Sequence, residues 1–147
     1  MSNIIYNEQL WKVIPGCPCY EVHPDGVIRN AITGELVKQR AAGGESDKYM
    51  LCNLRDADGN WKTGVVHRIV ATVFIDTPEI DGEDDWQVDH IDYNPSNNSV
   101  RNLRWLPAKL NQVLRRNVRP EVARRKILEY YREHDIDYDY FNLLSEL

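Results

Sequence analysis

Apolar and polar residues alternate in short runs through the first part of the chain, and turn-forming residues separate the runs. Tyr20-Glu21-Val22 and Val27-Ile28-Arg29 flank Pro24-Asp25-Gly26, a pattern that predicts a β-hairpin. Trp11 to Gln39 as a whole reads as short strands punctuated by Pro15-Gly16, Pro24-Asp25-Gly26 and Thr33-Gly34. A small-residue linker, Ala41 to Asp47, comes next. Tyr49 to Arg55 and Trp61 to Val66 predict a second hairpin across Asp56-Ala57-Asp58-Gly59-Asn60. That turn begins like a calcium-binding loop. Its sixth position, however, is Trp61 rather than Gly and its twelfth is His67 rather than Glu, so the hairpin reading stands.

The period then changes. Val70, Val73 and Phe74 mark a buried helix; propensity alone would also allow a strand there. Asp76 to Asp85 is an acidic, solvated loop. Trp86 to Ile91 predicts a strand anchored by Val88 and Ile91, and Leu103 to Leu106 a second. Pro107 suits the first turn of a helix, where its missing N–H costs nothing, and Leu110, Val113 and Leu114 fall at helical spacing behind it. Pro120 opens a helix reaching Tyr130 or Tyr131, with Val122, Ile127 and Tyr130 among its apolar residues. Asp137 to Leu147 suggests a last helix. With its predecessor it forms either a reduced helix-turn-helix reader or a surface for packing and protein contact.

Among these elements one constellation carries chemistry. Asp89 and His90 are adjacent, Asn102 follows His90 by twelve residues, and Asn111 follows Asn102 by nine. Phosphodiester hydrolysis needs an activated water and charge neutralisation on the phosphate and the leaving oxygen. An imidazole can take the proton, and a hard divalent cation on oxygen ligands can supply the rest. Neighbours in a strand point to opposite faces, so Asp89 and His90 serve one site only if the backbone turns there. The Asn, Asp, Pro and Ser residues from Asp92 to Ser99 provide that turn chemistry, with Asp92 itself a turn former. The other histidines read differently: His67 caps or packs at a helix start, while His23 and His134 lie on the surface. Trp105 reads as core.

These residues resemble the HNH endonucleases, specifically their homing-endonuclease branch. The family's ββα-metal core is a strand, a loop, a second strand and a helix. Its acid-His pair, middle Asn and final His or Asn look like Asp89-His90, Asn102 and Asn111. The resemblance implies that His90 is the general base and that Asp89 and Asn111 are metal ligands. It implies that Asn102 braces the loop and holds the His90 backbone and ring. One divalent cation, Mg2+ or Mn2+, would occupy the site. Upstream, Val66 to Ala71 with Phe74-Ile75 is similar to the helix preceding this core. Trp11 to Gly16, Tyr20 to Val22 and Gly26 to Asn30 resemble a NUMOD-type module. The fold class expected is α+β: a hairpin-rich module over residues 1–45, an HNH core over 46–117 with its ββα motif at about 86–116, and a helical tail over 118–147.

Composition narrows the setting. The chain has 147 residues, enough for one domain or two small ones sharing a core. No apolar run approaches the roughly 20 residues of a membrane span, and Met1 to Gln9 has no signal-peptide pattern, so the expectation is a cytoplasmic protein without a membrane partner. Cys17, Cys19 and Cys52 make neither a disulfide framework nor a zinc ribbon. A net charge of −5 argues against DNA until its distribution is considered. From Arg101 to Lys126 the chain carries nine basic residues and one acid, Glu121. Arg68, Arg101, Arg104, Lys109, Arg115 and Arg116 are therefore the expected contacts to duplex DNA, positioning it through phosphates.

The leading expectation is a metal-dependent DNA endonuclease that nicks duplex DNA, as a monomer or a homodimer. The alternative is a catalytically silent nucleic-acid- or protein-binding regulator on the same scaffold, such as a phage host-takeover or packaging accessory. A structured-RNA nuclease is a third reading.

Overall fold

The structure is a computed structural model, and the fold is described for residues 8–43, 48–115 and 118–136. The expected helix from Asp137 to Leu147 lies outside the described residues, and so does most of the expected linker.

Among the described residues, three sheets and three α-helices make up an α+β fold. The first sheet orders β1 (Lys12–Ile14), β2 (Cys17–Val22) and β3 (Ile28–Asn30) side by side. Tyr20 pairs with Asn30 and Val22 with Ile28, the hairpin expected from alternation. Val22 and Ile28 are fully buried, while Arg29 stays on the other face and bonds Glu21 through its side chain. The second sheet orders β4 (Gln39–Ala42), β5 (Tyr49–Arg55) and β6 (Trp61–Val65). Ala41 and Ala42, read as linker, instead pair with Met50 and Tyr49. Two alanines carry little strand signal alone; the ladder offered by β5 recruits them. The Asp56 to Asn60 turn closes β5 on β6. Asp56 Oδ1 accepts from the backbone N–H groups of Asp58 and Asn60.

Helix α1 (Val66–Phe74) leaves β6 without a loop and packs on β5, β6 and β1. Its buried face is Val66, Val70 and Ala71, rather than the expected Val70, Val73 and Phe74. The helix starts at Val66, so i, i+4 and i+5 set the inward stripe. Strands β7 (Trp86–His90) and β8 (Leu103–Pro107) form a two-stranded sheet, with a 3-10 turn over Val100–Asn102 just before β8. Pro107 ends this strand instead of opening the helix, and α2 runs Ala108–Arg115. Val113 departs from expectation as well: it is 57% exposed, whereas Leu114 is buried. Helix α3 spans Pro120–Glu133, opened by its proline as expected.

The described residues fall into two compact units. One takes those up to Asp76 together with His90–Arg104; the other takes Thr77–Asp89 and those from Trp105 onward. In the first, Trp11, Ile14, Tyr20, Val22, Ile28, Cys52, Leu54, Val70 and Leu103 are buried. In the second, Leu106, Leu114, Ala123, Ile127 and Tyr131 form a core against which Leu110, Leu128 and Tyr130 pack. The Tyr131 hydroxyl donates to the Trp105 carbonyl, tying α3 to β8. Among the described residues no helix is long and apolar enough to cross a membrane.

Candidate active site

Immediately after β7 the backbone turns back, with the Tyr93 N–H donating to the His90 carbonyl at 3.0 Å. Tyr93 itself has φ 60°, a left-handed conformation uncommon outside glycine. Asp92 organises the loop between β7 and β8. Its Oδ1 accepts from the Asn94 N–H and from Asn102 Nδ2, each at 2.8 Å, and its Oδ2 accepts from Asn97 Nδ2 at 2.8 Å. Asn102 completes the loop: its Oδ1 accepts from the Asp92 N–H at 3.0 Å, and its Nδ2 also donates to the Asn97 carbonyl at 2.8 Å. Burial pushes the Asp92 carboxyl up, but the Asn97 amide, the Asn94 N–H, the Asn102 amide and nearby His90 outweigh it. The carboxyl therefore lies below the ordinary value of 3.8.

Asn102 thus braces the loop, and its backbone carbonyl accepts from the Ile91 N–H beside His90 at 2.8 Å. It does not hold the His90 ring, because the bonds to Asp92 and Asn97 already engage its side chain. The ring is held by Asn98, whose Oδ1 lies 2.8 Å from His90 Nε2. The edge-to-face ring of His67 packs at a centroid distance of 4.9 Å, and Tyr49 meets His67 edge-to-face in turn at 6.1 Å. His67 therefore packs, as expected, and the ring it packs on is His90. His23, expected at the surface, is buried against Trp11, and its Nδ1 accepts from the Asp25 N–H. It fills the base of the first hairpin turn, a role that alternation alone does not reveal.

In the other unit, Gln87 and Asp89 are two residues apart on β7 and so share one face of the strand. Asn111, on α2, donates through Nδ2 to Gln87 Oε1 at 3.0 Å. One N–H of the amide is thereby used, which ties Asn111 to the strand that carries Asp89; an amide oxygen is itself a hard donor. A carboxylate with an amide oxygen suits Mg2+ or Mn2+ better than a softer metal. Among the described residues no group of three His, Cys, Asp or Glu side chains gathers for a metal, so a thiolate- or imidazole-rich centre has no counterpart here. Asp89 is 5% exposed, His90 8% and Asn111 3%, a degree of enclosure that surface turn residues do not have.

The expected cations divide. Arg68, Arg101 and Lys109 are exposed. Arg68 lines an open surface depression with Ile14, Pro15 and Thr72. Arg104, on β8, is 5% exposed and so more enclosed than Arg68, Arg101 and Lys109. Arg115 ends α2, and Arg116 lies outside the described residues.

Three residues around the site escaped the sequence reading: Asn98, Gln87 and Gly26. Asn97-Asn98 looks like ordinary turn chemistry, and no local pattern tells which amide turns inward. Gln87 carries no signal beyond its place two residues before Asp89.

Comparison with known proteins gives the chain a family. A family model of HNH endonucleases matches residues 65–113, the stretch from the end of β6 to α2. An uncharacterized HNH endonuclease, L247, of Acanthamoeba polyphaga mimivirus is 31% identical over 74% of this chain and 26% of its own length. DNA endonuclease I-HmuI of Bacillus phage SP01 is 34% identical over 69% of this chain and 54% of its own. A solved structure concerning DNA binding and cleavage by the HNH homing endonuclease I-HmuI superposes with a TM-score of 0.59 at 31% identity. That match covers 84% of this chain and 67% of the other. The chain belongs to the HNH endonuclease family. It spans between about a quarter and a little over half the length of these curated relatives.

Proposed function

We propose that the chain is a metal-dependent DNA endonuclease that hydrolyses phosphodiester bonds and nicks duplex DNA. The observation that carries the reading is the Gln87–Asn111 bond. It ties Asn111 of α2 to the strand that carries the buried carboxylate Asp89.

Asp89 and Asn111 would hold a divalent cation, Mg2+ or Mn2+, which when bound would supply charge neutralisation at the phosphate and the leaving 3′ oxygen. His90 accepts the proton of the attacking water. Asn102 keeps the turn after His90 closed through Asp92 and Asn97. Exposed Arg68, Arg101 and Lys109 contact backbone phosphates and position the duplex without reading its bases. One base and one cation cut one strand, so a double-strand break takes a homodimer or a second event. The β1–β3 sheet serves as a NUMOD-type module, and the protein works in the cytoplasm of the cell that makes it.

Incubating supercoiled plasmid with the protein tests this. Conversion to the open-circular form is expected with Mg2+ or Mn2+ and is lost with EDTA. His90→Ala abolishes conversion while DNA binding by gel shift persists. Binding by the parent protein with no metal-dependent conversion defeats the nuclease reading in favour of a binding regulator. Equal nicking by His90→Ala and the parent removes His90 as the base.

A further inference from the structure

The loop that holds His90 does not stand alone. At the tip of the β2–β3 hairpin, the Gly26 N–H donates to the His23 carbonyl and the His23 N–H to the Val27 carbonyl, both at 2.8 Å. Gln39 Nε2 donates to the Gly26 carbonyl at 2.8 Å, and the Val100 N–H donates to the Pro24 carbonyl at 2.7 Å. This fastened turn presses Gly26 onto Asn98. A Cβ at Gly26 would lie 2.9 Å from the Asn98 carbonyl oxygen and 3.1 Å from its Cβ, and Gly26 has φ +90°. Only glycine meets both demands.

Asn98, 5% exposed, then meets His90 at 2.8 Å through Oδ1. With the Asn98 oxygen facing Nε2, this geometry favours the tautomer that carries its hydrogen on Nε2 and leaves Nδ1 open. Asn98 Nδ2 is buried without a hydrogen-bond partner. The loop thus tolerates an unsatisfied donor while the oxygen stays on the imidazole. We propose that Gly26 and Asn98 are positioning residues for His90. The hairpin turn backs Asn98, and Asn98 fixes which ring nitrogen is free to receive a proton. The assignment rests on His90 as the base, and it gives the N-terminal sheet a part in catalysis through the loop it supports.

The test uses metal-free protein labelled with 15N-histidine and read by imidazole 15N–1H correlation at mildly alkaline pH. The parent shows one His90 species with hydrogen on Nε2. Asn98→Ala moves it towards the averaged shifts of a free imidazole, and Asn98→Asp, which keeps an acceptor at the same reach, retains the parent pattern. In plasmid nicking, Asn98→Ala lowers kcat roughly 10- to 100-fold with KM unchanged, the penalty of a misplaced reacting group. Gly26→Ala is compared with Gly34→Ala, a position at φ +74° with nothing within 4 Å of its added Cβ. Both bear the backbone strain, but only Gly26→Ala disturbs the His90 shifts. A parent ring with hydrogen on Nδ1, unchanged shifts in Asn98→Ala, or identical spectra for the two glycine variants would overturn the proposal. The spectra speak to the positioning whatever the His90→Ala nicking result, so the two readings fail separately.

Discussion

Asp92 and Asn102 clasp each other in both directions. The Asn102 amide donates to the Asp92 carboxylate at 2.8 Å, and the Asp92 backbone N–H donates to the Asn102 carboxamide oxygen at 3.0 Å. The nine residues between them are closed by one pair, and Asn97 is drawn in from the middle. Asn102→Ala removes the clasp and strands the Asp92 N–H and the Asn97 carbonyl. The expected loss is roughly 1–3 kcal/mol of unfolding free energy, measured by urea denaturation. Amide hydrogen exchange should rise in residues 91–101 first. An unchanged midpoint together with unchanged exchange contradicts the clasp.

The same carboxylate sets an acid limit. The folded Asp92 carboxyl sits below its ordinary 3.8 because amide donors favour the charged form over the opposing effect of burial. A depressed folded pKa means the unfolded chain binds the proton first as pH falls. The stabilisation is therefore fully present above the unfolded value and is lost as pH falls through the folded one. Asp56, held low chiefly by the Asn60 N–H, adds a contribution of the same sign. Stability measured against pH should drop below about pH 4 in the parent, and the drop should be shallower in Asp92→Asn.

Gln87 bonds the Asn111 amide, so its loss should weaken the proposed cation site without deleting a proposed ligand. Gln87→Ala is expected to raise the Mn2+ concentration for half-maximal nicking roughly 10- to 100-fold. Asp89→Ala and Asn111→Ala should lose nicking across the accessible range. Calorimetric titration of Mn2+ into each variant checks the order. A Gln87→Ala protein with parental metal dependence shows that the bond has no bearing on the ion.

The cysteines should separate by environment. Burial, with Cys17 nearby, pushes the Cys52 thiol up to about 11, whereas Cys19 is exposed. Near pH 8 the Cys52 thiolate is on the order of a thousandth of the total. A chromogenic disulfide reagent should therefore titrate Cys19 quickly, and Cys52 only on unfolding. Fast labelling of Cys52 in the native protein contradicts its burial.

Ile127, at 1% exposure, sits among Leu106, Leu114, Ala123 and Tyr131. Ile127→Ala should cost about 2–5 kcal/mol by leaving a cavity that its neighbours fill only in part. Thermal unfolding monitored at the tryptophans measures it. A loss well under 1 kcal/mol would mean that this core collapses around the gap.

Local rules made several elements legible. Alternation on both sides of a Pro-Asp-Gly turn produced the β2–β3 hairpin, and Asp56 to Gly59 produced the β5–β6 turn. Pro120 marked the start of α3 because a proline nitrogen is harmless in a first turn. The same rule failed at Pro107, where the strand runs one residue further. Burial was legible less often: Val113 keeps helical spacing yet faces solvent, since three apolar residues fit more than one stripe.

The sequence by itself determined the chemistry on offer: a carboxylate and an imidazole side by side, and two amides at fixed distances behind them, all of it set by covalent order. Tertiary structure decided which amide does what. Asn102 closes the loop, Asn98 takes the His90 ring, Gln87 bonds Asn111, and Arg104 is enclosed. Amides are interchangeable in composition, and each has the same donors and acceptor. Their partners depend on where distant backbone, such as the turn at Gly26, presses the loop, and such contacts leave no periodic trace in the chain.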